Sequence, residues 1–506
     1  MNPEQAVPSS PRPMASLEGI ARLKSGACLS LRDRLRAAGW NDELMAAAEA
    51  VAPGHLDAVR LPVVDAWLSR RGGTGSALAR LFAYDGMVSR LEAESALGTD
   101  LVAGLLDAGL LQATISGVRS LFRILPFRGV YVICDPPDAG ADAVMGGGPT
   151  TAMVAQHVRA HAGSVLDLGC GAGLLALYAA SLGAARAVGT DVNERAIQLA
   201  RVNGRLNDLR VDFHVGDLLE PLRGERFDLV LAQPPYVPLP EGIPAATYLH
   251  GGAAGDALPK RFARATAEAL APGGIGIIAI EAASSGASVH EMLSSTVGRG
   301  VFDIVTLSSA GIPAHLQAAA YASIVDATLG ATYRVAARRY ADHLSCLADA
   351  PRRAITILRR RQDSSTPLDQ QLDVPAVQRV TAADVGAHLR ALELSRMDDH
   401  HLLRARLRIP AGTRLVEERA SGAFSAAPRR SVRFAPGGIA TDHEIGEAGA
   451  KLFEILDRGD ALEESVHLFA AACEEAPHSV RSIVLGFARE GLRKGMVVLA
   501  SQPPTA

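Results

Sequence analysis

Residues 165–173, Val165-Leu166-Asp167-Leu168-Gly169-Cys170-Gly171-Ala172-Gly173, decide the fold. A short apolar run passes into a glycine turn and then into a helical stretch, Leu174-Leu175-Ala176-Leu177-Tyr178-Ala179-Ala180. Glycine suits such a turn because the backbone must reverse tightly and let a ligand lie against it, which a Cβ would obstruct. A plain strand–helix turn would use the same residues, so the flanking sequence has to decide. Asp191 ends the next strand-like run, about 20 residues on, where an acid meets ribose hydroxyls. Asp217 ends a third run, placed to accept a bond from an adenine amino group. Two acids at successive strand ends behind a glycine loop point to an adenosine ligand.

Around this centre, strand-like and helical stretches alternate from Asp142 to Arg361, the pattern of a parallel sheet with helices on both faces. Residues 302–309 (FDIVTLSS) and 352–360 (RRAITILRR) are the late strands that would complete it. The expected organisation is a loose proline-rich tail over 1–15, a helical module over 16–140, an α/β domain over 141–361, a linker with one helix over 362–410, and a small α+β module over 411–506. In the second of these the helical period runs from Leu17 to about Leu111, with Met87–Leu97 and Leu101–Leu111 the clearest pair. Two short strands follow around Pro126-Phe127-Arg128-Gly129. Helices followed by a hairpin outline a winged helix, and the last module has a similar mix.

Composition narrows the function. The 506 residues are 48% hydrophobic but only 4% aromatic, so the cores rest on Ala, Leu and Val. A net charge of −3 argues against general affinity for nucleic acid, and residues 100–111 carry no Arg or Lys to meet phosphate. The five cysteines form no CxxC pair, which excludes a disulfide scaffold and a typical structural zinc site. The polar start has no apolar signal-peptide core, and no strongly apolar run reaches membrane-spanning length. The expectation is a cytoplasmic protein with no membrane partner.

The ligand can be narrowed further. A dinucleotide site favours GxGxxG, whereas here Gly173 comes one residue early, and no Walker lysine follows. Asp167 beside the loop suits a ligand bearing an ammonium group, which selects S-adenosylmethionine. Four further stretches carry a family likeness: GTDVNERAIQLARVNGRLN, GDLLEPLRGERFDLVLAQPPYV, HGGAAGDAL and LAPGGIGIIAIE. With VLDLGCGAG, they make residues 142–361 resemble a class I S-adenosylmethionine-dependent methyltransferase, in the branch of the release-factor glutamine N5-methyltransferases. The resemblance implies a Rossmann-like seven-stranded methyltransferase sheet, here flanked by smaller winged-helix-like α+β modules. It implies that RRAITILRR enters antiparallel beside the fifth strand, and that Gly146–Val154 closes over the cofactor. It places S-adenosylmethionine over Asp167, Gly169, Gly171 and Gly173, with Asp191 on the ribose, Asp217 on the adenine and Gln233 bordering the cofactor.

The family's catalytic motif is Asn-Pro-Pro-Tyr, with Asp or Ser as variants of the first residue; this chain has Gln233-Pro234-Pro235-Tyr236. In the family the oxygen of the first side chain and the following Pro carbonyl accept bonds from a planar nitrogen, holding its lone pair toward the methyl group, and Tyr stacks on it. The resemblance therefore makes Gln233, Pro234 and Tyr236 catalytic, with Gln233, Pro235 and Tyr236 against the substrate. Glutamine is one methylene longer than asparagine, and a displacement of about 1 Å costs on the order of 100-fold in rate. Either the acceptor differs from a glutamine amide or the pocket has shifted. N-methylation of a small molecule or peptide is the expectation, without a metal. O-methylation of a carboxylate or hydroxyl stays open, as does a non-catalytic cofactor-sensing or DNA-binding regulator. The C-terminal module resembles peptide-binding modules that add a peptide as a strand, or serves packing or homodimerisation. His400-His401 read as solvated surface, Cys170 as packing, His157 and His161 as core or surface, and Arg352-Arg353 with Arg359–Arg361 as a basic rim.

Overall fold

The computed structural model describes residues 14–53, 57–282, 287–298, 300–327, 329–347, 350–364, 366–418, 428–435 and 437–500. The expected tail lies almost wholly outside the described residues. The central sheet has strands β1 (Ser164–Leu168), β2 (Arg186–Asp191), β3 (Asp212–Val215), β4 (Phe227–Ala232), β5 (Leu270–Ala282), β6 (Phe302–Ser308), β7 (Arg352–Arg360) and β8 (Asp369–Asp373). Their order is β8-β6-β7-β5-β4-β1-β2-β3. Strands β1 to β5 pair in parallel, with Leu168 level with Ala232 and Thr190. Val165, Leu166, Val188, Val230, Leu231, Ile278 and Ile280 are fully buried, the near-continuous apolar reading of a sheet covered on both faces.

RRAITILRR takes its expected place: β7 runs antiparallel to β5, from Arg352 opposite Ala282 to Arg359 opposite Ile275. The sheet has eight strands, one more than expected. The extra one, Asp-Gln-Gln-Leu-Asp, lies in the stretch read as linker. It alternates between exposed and half-buried and offers no apolar signal, as suits a polar edge strand.

The helices positioning the site are α1 (Pro149–Ala155), α2 (Leu174–Ser181), α3 (Glu194–Asn207), α4 (Ala257–Ala269), α5 (Val289–Val297), α6 (Ala314–Val325) and α7 (Ala331–Ser345). The last two form a hairpin between β6 and β7. Its inner faces meet at Ala318, Tyr321, Ala322, Ala336, Tyr340 and Leu344, which pack with Val237 and Ile243.

Helices dominate residues 18–107, as their period predicts, and then two β-hairpins follow, 111–120 and 123–134. The helix expected to reach Leu111 stops at Asp107. Gly109 takes φ +68° and Leu110 N–H returns to Leu105 O, which closes the helix and releases Leu111 into a strand. The strand Val130–Cys134 is docked on α3 by two asparagines. Asn207 bonds both N–H and C=O of Tyr131 (2.8 and 2.7 Å), and Asn203 bonds those of Ile133 (2.8 and 2.9 Å). Asn203 Nδ2 also donates to Ala172 O in the glycine loop at 3.0 Å. Arg195 closes this seam with a two-pronged bond to the buried Asp135 carboxylate, at 2.6 and 2.8 Å.

The chain divides into two compact units, 1–304 with 311–369, and 305–310 with 370–506. In the second, helices Glu447–Leu456, Leu462–Ala472 and Pro477–Arg493 bury Leu452, Phe453, Leu462, Phe469, Val484 and Leu492. Ala391 and Leu394 of the helix Ala382–Ser395 join that core, and 414–418, 429–433 and 443–444 form an antiparallel sheet. Among the described residues, no helix is long and apolar enough to cross a membrane.

Asn203→Ala would strand the buried N–H and C=O of Ile133 and the Ala172 carbonyl. The expected loss is on the order of 3 kcal/mol, read from the urea midpoint.

Candidate active site

The glycine loop and the Gln-Pro-Pro-Tyr segment leave neighbouring strands at the same level, because Leu168 pairs with Ala232. The loop glycines divide the work. A Cβ on Gly169 would strike the Phe262 ring at 2.9 Å, and one on Gly173 the Phe213 ring at 2.7 Å, so these two permit packing. A Cβ on Gly171 would meet nothing within 4 Å and would project into open space above the loop. That space is the cradle a ligand could fill.

Two carboxylates lie near it. Asp191 accepts the N–H of Gly171 and that of Asn193, each at 2.8 Å, which fixes the loop to the end of β2. Burial raises its pKa against these two bonds. Asp167 is buried beneath the loop, not in its open face, and accepts Ala176 N–H at the start of α2 at 3.1 Å. Burial pushes its carboxyl from 3.8 up to about 7, with the nearby Asp191 charge adding to the rise. Asp217, expected at the adenine, is half-exposed and paired with Arg261 of α4 at 2.5 Å.

Beyond β4, Gln233 and Tyr236 are both held by α1. Thr151 Oγ1 accepts Gly148 N–H and donates to Gln233 Oε1 at 2.9 Å, leaving the Gln233 NH2 without a partner among the described residues. Thr150 Oγ1 lies 3.3 Å from the Tyr236 hydroxyl. Burial raises the Tyr236 pKa, the charge of Glu281 raises it further, and the Thr150 bond opposes both. The Pro234 carbonyl, in a buried residue, receives no hydrogen bond among the described residues. The segment after it is packed by glycines whose smallness has a direct reason. A Cβ on Gly251 would lie 2.6 Å from Pro235 O, and one on Gly255 2.2 Å from Tyr236 O.

With this geometry in hand, residues 148–299 match the model of the methyltransferase small domain. Beside the methyltransferase small domain match stand three curated relatives. A Methanocaldococcus jannaschii protein, provisionally named a protein N5-glutamine methyltransferase, is 36% identical over 22% of this chain and 58% of its own length. The release factor glutamine methyltransferase of Geobacter sulfurreducens is 38% identical over 22% and 44%. The ribosomal protein L11 methyltransferase of Thermotoga maritima is 41% identical over 17% and 33%. The chain thus spans between a third and three fifths of these relatives' lengths. Among solved structures, a ribosomal protein L11 methylase from Lactobacillus delbrueckii subsp. bulgaricus aligns at 14% identity, with a TM-score of 0.25, over 42% of this chain and 78% of that one.

Gly169, Gly171, Gly173, Asp191, Gln233, Pro234, Pro235 and Tyr236 therefore gather at the carboxyl ends of β1, β2 and β4, with Asp167 beneath and Asp217 at the edge. Thr150 and Thr151 were legible only as part of a closing segment; their hold on Gln233 and Tyr236 spans more than 80 residues and leaves no local mark. Other residues fall outside the site. Cys170 is buried, with its thiol pKa raised by that burial, which leaves no thiolate to act. His157 is buried in the core and His161 is exposed. Asp398, His400 and His401 are all exposed, and Asp398 caps its helix through His401 N–H at 2.9 Å. The basic rim dissolves into ion pairs: Arg353 binds Glu281 at 2.8 Å, Arg359 binds Asp303 at 2.5 Å, and Arg361 pairs with Asp363.

The raised Asp167 carboxyl has a measurable consequence. Between 3.8 and about 7 the folded chain holds a proton that the unfolded chain has released, so this contribution to stability is lost as pH rises through that window. Asp167→Asn stays neutral throughout and can still accept Ala176 N–H. Urea unfolding at several pH values should show a flatter profile in this window for the variant than for the natural chain.

Proposed function

We propose that this chain is an S-adenosylmethionine-dependent methyltransferase that methylates a planar nitrogen, with an amide on a protein or peptide as its acceptor. The observation that carries the reading is the polar edge at the end of β4. A Gln233 NH2 without a partner and a Pro234 carbonyl without a donor sit level with the glycine loop, beside the Tyr236 ring. The names of the relatives, which specify protein glutamine or a ribosomal protein, point the same way.

The residues present fit the cofactor through the open face of Gly171 and the acid at the end of β2. Gly169, Gly171 and Gly173 would carry it, Asp191 would accept from its ribose hydroxyls, and the Asp217 oxygen not bonded to Arg261 would accept from the adenine amino group. When bound, S-adenosylmethionine supplies an electrophilic methyl group on a sulfonium. The protein's part is to aim the acceptor. Gln233 NH2 donates to the acceptor's carbonyl oxygen, the Pro234 carbonyl accepts an N–H, and Tyr236 stacks on the plane. The nitrogen lone pair then points at the methyl carbon. Methyl transfer to that nitrogen would leave the C–S electron pair on sulfur, and the nitrogen held by Gln233 and Pro234 would release one proton to water. Positioning of this kind lowers a barrier by about 7–11 kcal/mol, with no metal in the scheme.

Here the longer Gln233 reverses the family's polarity at that position: its oxygen faces Thr151 and its NH2 faces the acceptor. The test uses methyl-labelled S-adenosylmethionine, purified protein and a host extract separated into protein, nucleic-acid and small-molecule fractions. Label should enter the protein and peptide fraction, resist base, disappear with Asp191→Ala and fall about 100-fold with Gln233→Ala. Base-labile label would identify an ester and overturn nitrogen as the acceptor; label in nucleic acid would overturn the peptide class.

A further inference from the structure

The chain has only 8 tyrosines, and Tyr236, Tyr248, Tyr321, Tyr333 and Tyr340 all fall in the Gln-Pro-Pro-Tyr segment, the loop after it, or the α6–α7 hairpin. Tyr321 and Tyr340 lie with ring centroids 5.5 Å apart, in the cluster against which Tyr236 and Tyr333 pack. The Tyr340 hydroxyl is 2.8 Å from His250 Nε2, and His250 Nδ1 accepts Ala246 N–H at 2.9 Å. The loop following Tyr236 is thus fastened to the hairpin.

One charged group joins this assembly to the sheet. Glu281, near the carboxyl end of β5, is 4% exposed and belongs to none of the steps above. Its carboxylate accepts Gln317 Nε2 of α6 at 2.5 Å and, from β7, Arg353 Nη2 at 2.8 Å and Nε at 3.1 Å. Gln317 is one helical turn before Tyr321, so the bond that seats one seats the other. Resting on the methyltransferase reading, we propose that Glu281 is the positioning residue of the acceptor end: it ties the α6–α7 hairpin behind Tyr236 and sets a negative charge there that turns away anionic acceptors.

The local electrostatics agree with this polarity. Tyr236 and Tyr321 both have raised pKa values, with burial the first cause and the Glu281 charge the second; at Tyr236 the opposing effect of Arg353 comes last. Both phenols thus lie within reach of the carboxylate's charge. A neutral or cationic acceptor group is compatible with that field, and a carboxylate pays a like-charge penalty.

The full chain, loaded with S-adenosylhomocysteine, would be titrated with two small probes, N-acetylglutaminamide and N-acetylglutamate, and binding followed by ligand-detected NMR. The neutral probe should bind at least about ten-fold more tightly than the anionic one. Glu281→Gln should weaken the neutral probe and bring the two within about two-fold, with S-adenosylhomocysteine affinity unchanged. Gln317→Ala keeps the charge but releases α6; it should weaken both probes together and leave their ratio intact. Equal binding of the two probes to the natural chain, binding of neither, or a ratio that Glu281→Gln does not alter would overturn the proposal. Loss of selectivity in Gln317→Ala would overturn the separation of charge from seating. If Glu281→Gln fails to fold, the probe ratio on the natural chain and the Gln317→Ala result still decide. Absence of S-adenosylhomocysteine binding to the natural chain is a separate result, and it would count against the cofactor reading instead.

Discussion

The parallel pairing of β1 with β4, which sets Leu168 level with Ala232, is the constraint from which the rest of the site follows. Each strand ends there and hands over to a turn with a different chemistry. β1 hands over to backbone that is open at Gly171, and β4 to a side chain and carbonyl that can aim a planar group. A slip of one residue would turn the side chains of each strand to the opposite face and separate the two turns, so the buried register of the sheet is also the precision of the site. The seam between Val130–Cys134 and α3 supports this from below, since Asn203 holds both that strand and the Ala172 carbonyl of the loop.

Buried or partly buried acids hold the two turns still. Asp191 satisfies two loop N–H groups, Asp167 ties the sheet to the start of α2, and Glu281 ties it to α6 and β7. Such groups are costly to bury and persist only with partners. Their placement in one layer, at the carboxyl ends of the strands, is what turns a common α/β sheet into a site with a defined polarity at each end.

Much of this could be read from the chain itself. The glycine loop, the acids at the ends of β2 and β3, and the strand RRAITILRR are written in contiguous residues whose apolar runs and turn chemistry are local, while the antiparallel direction of that strand came only from the family resemblance. The Gln-Pro-Pro-Tyr segment could be read in the same way, although the exchange of its amide's roles could not. That exchange depends on Thr151, and the hold on Glu281 depends on Gln317 and Arg353, each far along the chain. The asparagine seam escaped for the same reason, because Asn203 and Asn207 look like ordinary polar positions on an amphipathic helix. The edge strand Asp369–Asp373 and the α6–α7 hairpin escaped for another. The first has almost no apolar residue to mark it, and the leading helix of the second is apolar with little periodic contrast.

The central claim is that the open face of Gly171 is a cradle for the methyl donor, and calorimetric titration with S-adenosylhomocysteine addresses it most directly. The natural chain should bind one equivalent, and Gly171→Asn, a residue that tolerates the +53° backbone angle while filling the open space, should lose that binding yet unfold at a similar temperature. Binding that survives Gly171→Asn unchanged, or none in the natural chain, would contradict the account.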